Sequence, residues 1–463
     1  MKLNERYSFS LLLSATLLAM LAACASLPEL ASLGQPGVRG TTPPVVGQRG
    51  VLSPQRSAEI IRRLQLQQEG KTDLLKRHLD FMQSISPEPL WTGNAVNLLV
   101  DGSATYRAMF DAIRSARDHV NLETYIFDEE GVGEKLGRLL AEKQRQGVQV
   151  NVMYDSLGSL STRPAFFQQL RQAGINVCEF NPLNPLRGNP FTLNNRDHRK
   201  LLIVDGELGY TGGINISSVY SSSSAVRKKR TGAPQPWRDT QIEVRGPAVK
   251  AFQDLFIDSW RRQGCDTLAE KKYYPRIERR GDTVLRILGS TPGDDINLIY
   301  VELLSAIAHA EKTIYITSAY FVPDRQTVEA LKDAVRRGVD VQLVLPGVSD
   351  VWISQYAGRS YYEELLAAGV RIYERRDALL HAKTAVVDGV WSTVGSSNID
   401  FRSFLHNDEV NAIVLGKEFG GQMESMFADD VAASVNIDTA AWDKRGLGER
   451  VRESLARMWA YFL

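Results

Sequence analysis

Cysteine is scarce in this chain: three in 463 residues, at Cys24, Cys178 and Cys265, with no C-x-x-C pair. No Cys/His cluster at zinc spacing occurs either, so no structural metal is expected. Excess charge of either sign is also lacking. Lysine and arginine number 55, aspartate and glutamate 54, a formal net charge of +1. A dedicated nucleic-acid binder ordinarily shows a basic excess, so no nucleic-acid partner is expected. The dense basic run Arg227-Lys228-Lys229-Arg230 reads as a solvated loop, with contact to anionic headgroups as the alternative. Long apolar runs are missing too. Phe9 to Ala23 is fifteen residues broken only by Ser and Thr, short of the roughly 20 that span a bilayer, and no later stretch reaches eighteen.

What is present at the N-terminus reads as a leader. Lys2 and Arg6 precede the apolar stretch, which ends in Leu21-Ala22-Ala23-Cys24. That ending resembles the lipobox of bacterial lipoproteins and implies cleavage before Cys24 and its lipidation. Loss of residues 1–23 removes Lys2, Arg6 and Glu5, leaving 53 basic and 53 acidic side chains. The expected mature protein is a lipoprotein of the bacterial cell envelope, facing the periplasm, anchored to the membrane and not spanning it. Cys178 and Cys265 are then left, either as a disulfide or as two buried thiols.

Residues 24–56 are rich in Pro, Gly, Ser and Thr and read as a flexible tether, and 57–90 as a helical lead-in. From Val96 strands and helices alternate, and the alternation starts again near Val284. This predicts an α/β fold of two duplicated halves, 91–263 and 284–463, joined by a linker at 264–283. Gly147-Val148-Gln149-Val150 matches Gly338-Val339-Asp340-Val341, and Tyr125-Ile126-Phe127 matches Tyr320-Phe321-Val322. At the C-terminus Val451, Leu455, Met458, Trp459 and Phe462 form an apolar stripe, expected to pack into the core, with membrane contact as the alternative.

The same polar pattern is written in both halves. His198, Lys200, Asp205, Gly212-Gly213 and Asn215 form the first copy; His381, Lys383, Asp388, Gly395-Ser396 and Asn398 form the second. In each, His to Lys is two residues, His to Asp seven and Lys to Asn fifteen. At roughly one in twenty per position, chance is negligible. A repeat kept for packing would echo apolar positions, whereas these are reactive ones. Residues two apart on a strand share a face, so each half offers an imidazole and an ammonium together, with the Asn returned to the same end by the glycine turn. Two such halves around one cavity suit a phosphodiester. Lysines and asparagines would hold its oxygens, one imidazole would attack phosphorus, and the other would protonate the leaving alcohol. Asp239 and Glu409 hold corresponding places at the start of apolar strands and are the expected orienting acids. Asp205 and Asp388 belong to the catalytic motif, although each ends a strand before a glycine, as a turn or ion-pair residue would. No cofactor is required.

These residues are the doubled H-x-K-x₄-D signature of the phospholipase D superfamily. The stretches His381 to Asp400, Ser318 to Pro323 and Tyr361 to Arg375 resemble bacterial cardiolipin synthases most. The resemblance implies two halves related by a pseudo-two-fold axis, with one active site at their interface. It implies a two-step phosphatidyl transfer with His198 as nucleophile and His381 as acid and base. Phosphatidylglycerol would be donor and acceptor, giving cardiolipin and glycerol. The superfamily also contains hydrolytic phospholipases and metal-independent nucleases. Cardiolipin synthases mostly begin with membrane-spanning helices, where this chain has a lipoprotein-like leader.

Overall fold

The computed structural model describes residues 26–33, 43–67, 73–184, 194–221 and 235–463. The expected leader, Cys24 and the basic run at 227–230 lie outside these residues. Among the described residues, seven strands of each half follow one order. In the first, Asn176–Phe180, Gln149–Asp155, His119–Thr124, Leu201–Val204, Leu208–Gly212, Thr240–Arg245 and Leu90–Val100 lie side by side. In the second, Arg371–Arg375, Asp340–Pro346, Thr313–Ser318, Lys383–Val387, Trp391–Gly395, Asn407–Leu415 and Thr283–Ser290 repeat it. The first three of each set are parallel, which requires crossovers. The helices Val132–Arg145 and Pro164–Gln172 supply them in one half, and Arg325–Arg336, Trp352–Arg359 and Tyr362–Ala367 in the other. The remaining strands are antiparallel, and the motif strand of each half turns back through Asp-Gly. Asp205 and Gly206 (φ 54° and 66°) and Asp388 and Gly389 (φ 50° and 64°) are left-handed, as the tight hairpin turn demands.

The halves share one sheet and one of the buried clusters. Leu90–Val100 pairs with Thr240–Arg245 and, through Trp91 and Asn94, with Thr283–Ser290. Phe252, Phe256 and Trp260 of the helix Val249–Arg262 share a buried cluster with Leu285, Val410 and Met423 of the second half. Two short parallel pairings complete the join: Arg196–Asp197 with Asn407 and Asp408, and Trp237–Arg238 with Leu379–Leu380. The segment before each motif histidine thus pairs with the segment before the other half's expected acid. Buried Arg238 bridges to Asp430 at 2.8 Å across the same boundary.

The tether expectation is corrected. Val45–Gly47 pairs with Leu90 and Trp91, Val45 is buried, and Ser53 caps the helix Pro54–Leu66. Leu27, Leu30 and Leu33 pack on the second half's core. The apolar residues scattered among the prolines and glycines gain enough by burial to hold the chain on the fold from residue 43. The helices Pro54–Leu66 and Leu74–Ile85 belong to that same core through Leu64, Leu75 and Met82, although they precede the first half in sequence. The C-terminal stripe expected in the core is also corrected: Val451, Leu455, Met458, Trp459 and Phe462 are exposed, because Glu453 and Ala456 occupy the inward face of the helix Leu447–Arg457. Cys178 and Cys265 form a disulfide with Cα atoms 5.7 Å apart, tying the strand Asn176–Phe180 to the chain beyond Val249–Arg262. Among the described residues no helix is long and apolar enough to cross a membrane.

Candidate active site

His198 and His381 precede the strands Leu201–Val204 and Lys383–Val387. These run antiparallel to His119–Thr124 and Thr313–Ser318, so both motifs meet the carboxyl ends of the parallel strands. Ligands of open α/β sheets bind at that end. Tyr125 and Tyr320 leave the parallel strands at the same level, with ring centroids 5.2 Å from His198 and 6.2 Å from His381.

The structure brings the expected orienting acids to the histidines, each from the opposite half. His198 Nδ1 lies 2.9 and 3.0 Å from the two carboxylate oxygens of Glu409. His381 Nδ1 lies 2.7 Å from Asp239 Oδ2. The backbone repeats the exchange: His198 N donates to Asp408 O at 2.9 Å and His381 N to Arg238 O at 2.8 Å. An ionised carboxylate only accepts hydrogen bonds, so each Nδ1 carries the proton and each Nε2 presents its lone pair. Glu409 also accepts from Ser396 Oγ and from Asn407 Nδ2. Burial pushes its pKa up, but His198, Lys200 and Ser396 outweigh that and bring it down to about 2. His198 is lowered to about 4, because burial and the lysines overcome the pull of Glu409. His381 is lowered by burial and Lys383 against the pull of Asp239.

The two lysines are buried, and each turns back on its own motif. Lys200 Nζ donates to His198 O at 2.5 Å and lies over the Tyr125 ring, 5.4 Å from its centroid. Lys383 Nζ donates to His381 O at 2.5 Å and lies 5.9 Å from the Tyr320 centroid. Burial is the main cause lowering Lys200 to about 7 and Lys383 to about 8, with Glu409 and Asp239 pulling the other way. Each half's charges act on the other's, since Lys383 depresses both Lys200 and His198. Two ammoniums held below their ordinary pKa make a preformed site for an anion.

Other expected site residues divide. Ser396 supports Glu409. Its counterpart is Gly213, where a Cβ would come within 2.1 Å of Asp239 Oδ1, so the first half needs glycine where the second carries a hydroxyl. The asparagines are unequal. Asn215 Oδ1 accepts from Ile126 N and its Nδ2 donates to Tyr220 Oη, so it braces the loop and does not stand open to phosphate. Asn398 Oδ1 is buried with no protein partner. Asp205 and Asp388 are not at the reacting centre, a correction to their place among the catalytic residues. Asp205 accepts from the backbone N–H groups of Arg117, Asp118 and His119 at the far end of its strand; Asp388 does the same for Glu311, Lys312 and Thr313.

Sequence reasoning missed the aromatic walls. Tyr125 and Tyr320 are a matched pair in the sequence, to which spacing assigns no role. Tyr220, whose hydroxyl lies 3.3 Å from His381 Nδ1, and Trp237, 5.2 Å from the His381 ring, carry no repeat signal. Five residues after Asn398, where Tyr220 would recur, stands Ser403. Arg199, matched by Ala382, is a further miss. It donates to Glu409 O at 3.0 Å and Ser290 O at 2.9 Å, fixing the strand that carries Glu409.

Known proteins share this sequence over most of the chain. The family described as cardiolipin synthase, PLD-like domain, matches residues 109–224 and 303–431. Cardiolipin synthase of Listeria monocytogenes serotype 4a (strain HCC23) is 36% identical over 390 residues, covering 83% of this chain and 79% of its own. Cardiolipin synthase 1 of Bacillus anthracis is 33% identical over 411 residues, covering 86% of this chain and 79% of its own. In fold, the crystal structure of phosphatidylserine synthase from Haemophilus influenzae Rd KW20 superposes with a TM-score of 0.59 at 12% identity, over 80% of this chain and 95% of that one. The chain belongs to the cardiolipin synthase family of phospholipase D-like proteins.

Proposed function

We propose that this protein transfers a phosphatidyl group from one phosphatidylglycerol to another, giving cardiolipin and glycerol. The carrying observation is the crossed pair of imidazole–carboxylate contacts, which engages Nδ1 of each histidine and leaves Nε2 for the chemistry, with a buried lysine folded back on each motif. In the first half-reaction His198 Nε2 attacks phosphorus, the P–O bond to glycerol breaks, and protonated His381 gives its proton to the departing oxygen. The phosphohistidine, a phosphoramidate that keeps Nδ1–H, carries the imidazolium charge, and Glu409, held ionised by its depressed pKa, balances that charge across the hydrogen bond. In the second half-reaction His381, now neutral, takes the proton from a glycerol hydroxyl of a second phosphatidylglycerol. That oxygen attacks phosphorus, and the P–N bond to His198 breaks. Lys200 and Lys383 stabilise the non-bridging oxygens in both transition states. The phosphodiester anion itself raises the lysines' affinity for protons and keeps them charged when substrate is bound.

The substrate lies in a membrane, which suits an anchor at Cys24 and a periplasm-facing site. Incubation with phosphatidylglycerol vesicles, with lipid and water-soluble products resolved, tests the reading. Cardiolipin with equimolar glycerol is expected, and His198→Ala or His381→Ala abolishes it. Phosphatidic acid with no cardiolipin would assign a hydrolytic phospholipase D instead.

A further inference from the structure

The helix Leu447–Arg457 is inverted in polarity. Its inward face carries Glu453, 2% exposed and paired with Arg445 at 2.9 Å, and Ala456. Its outward face, continued by the last turn Ala460–Phe462, carries Leu447, Val451, Leu455, Met458, Trp459 and Phe462 at one helical stripe. Leu447 is 81% exposed, Met458 77% and Trp459 57%. An ordinary surface helix turns its apolar stripe to the core. A contiguous outward stripe of large apolar residues marks a surface that something covers.

Charge and position identify the cover. Arg450, Arg452 and Arg457 flank the stripe, against Glu449 as the exposed acid of the same helix. Apolar and aromatic side chains bordered by arginine suit the boundary between anionic headgroups and acyl chains. The stripe ends beside the active site. Tyr461 packs 5.7 Å from Phe401, three residues after Asn398, and 5.8 Å from His406. Arg402 N donates to Leu463 O at 2.9 Å, and His406 O accepts from Arg196 N, two residues before His198. Two loops in corresponding places add to the same rim. Ser159 Oγ donates to Tyr125 O, next to exposed Leu160, and Tyr320 Oη donates to Asp350, near exposed Trp352. The helix Trp352–Arg359 packs against Leu447–Arg457.

We propose that the C-terminal stripe, with Trp352 and Leu160, is a membrane-docking surface that seats the mouth of the active site on an anionic lipid leaflet. The proposal rests on the reading that the substrate is a membrane phospholipid. Insertion by this rim lets a phosphodiester reach His198 and His381 from the headgroup plane without leaving the bilayer.

Tryptophan quenching tests it in the full-length chain, because quenching reads the depth of the side chain whether or not Cys24 is lipidated. Vesicles of equal parts phosphatidylglycerol and phosphatidylethanolamine with brominated acyl chains should quench the fluorescence of the parent. The Trp459→Phe, Trp352→Phe double variant should lose most of that quenching. A second variant, Met458→Ser with Trp459→Ser and Phe462→Ser, should fold normally and lose at least tenfold in turnover of vesicle phosphatidylglycerol. Its turnover of short-chain phosphatidylglycerol dispersed as monomers should stay within twofold. Quenching that is absent in the parent or unchanged in the Phe variant overturns the proposal. So does a serine variant that keeps vesicle turnover but changes from dimer to monomer, which would give the stripe to a second copy of the chain. A parent whose stripe inserts but which turns over neither form of phosphatidylglycerol sinks the transfer reaction and leaves the docking surface standing.

Discussion

Glu409 grips His198 Nδ1 with both carboxylate oxygens, at 2.9 and 3.0 Å, although 211 residues and the boundary between the halves separate them. The counterpart contact, His381 with Asp239, crosses in the other direction. Neither half therefore holds a complete imidazole–carboxylate pair from its own chain segment. Duplication has made one site, and the short strands Arg196–Asp197 and Trp237–Arg238 are the devices that cross it.

Glu409→Gln should lower kcat/KM for cardiolipin formation by about 10²–10⁴, the range seen when an imidazole loses the carboxylate that fixes its tautomer and balances its charge. Rapid quench of a single turnover should show the loss in phosphohistidine formation. Asp239→Asn should instead slow protonation of the glycerol, and a substrate with a better leaving group should recover much of its rate. Equal insensitivity of both variants to the leaving group would remove the division of labour between the histidines.

The pH dependence follows from the shifted groups. His198, at about 4, must be neutral to attack, so kcat/KM falls as pH drops through that value. His381 must be protonated to serve the leaving glycerol, and burial and Lys383 hold its pKa below the ordinary value, so kcat/KM falls as pH rises through it; Lys200, at about 7, must be charged to hold phosphate and steepens the same limb. Bound phosphodiester raises the lysines, so the alkaline limb of kcat should lie at higher pH than that of kcat/KM. Lys200→Arg keeps its charge at all accessible pH and should make the alkaline limb shallower, leaving the titrations of His381 and of Lys383, at about 8. Rates on monomeric substrate between pH 4 and 10 read both limbs.

Gly213 and Ser396 occupy one place in the two copies and answer opposite needs. A Cβ at 213 would stand 2.1 Å from Asp239 Oδ1, so Gly213→Ser should displace the acid from His381 and lower kcat by about 10²-fold or more. Ser396→Ala removes only a donor to Glu409 and should cost a few-fold, with the single hydrogen bond worth about 1 kcal/mol. Comparable losses in both variants would contradict the steric account.

Much of this was legible in the sequence because duplication prints chemistry twice. Two copies fixed the motif, the division into two α/β halves followed from the repeated alternation, and Asp239 and Glu409 stood out by their matched places. Counting from the histidine of the same half, however, gives no sign that the acids are exchanged, because spacing along a chain is blind to which partner a two-fold axis supplies. Tyr220 was hidden for the opposite reason: Ser403 holds the corresponding place, so nothing repeats. Residues 43–56 misled because proline and glycine dominated their composition, while a few apolar residues such as Val45 decided their fate by pairing with Leu90. The C-terminal stripe was seen as an apolar face, but periodicity states only that a face exists, and the buried Glu453–Arg445 pair decides which way it turns.

Asp205 tests how far the motif itself is chemistry. Its carboxylate accepts three backbone N–H groups from Arg117, Asp118 and His119, and its backbone takes φ 54° in the Asp-Gly turn. Those contacts clamp the start of the strand His119–Thr124 to the hairpin that carries His198 and Lys200. Asp205→Ala removes the acceptor, at about 1–3 kcal/mol, and forces a left-handed alanine, at about 1–2 kcal/mol more. Asp205→Asn keeps one acceptor oxygen and tolerates the turn, so it should lose only the smaller part. Chemical denaturation should rank the parent above Asn and Asn above Ala, and Asp388 should behave alike, since it clamps Glu311, Lys312 and Thr313 in the same way. Turnover per folded molecule should stay within about threefold of the parent, because the charge sits at the strand end away from the lysines and histidines. A loss comparable to that of His198→Ala in a fully folded variant would return the aspartate to the reacting centre.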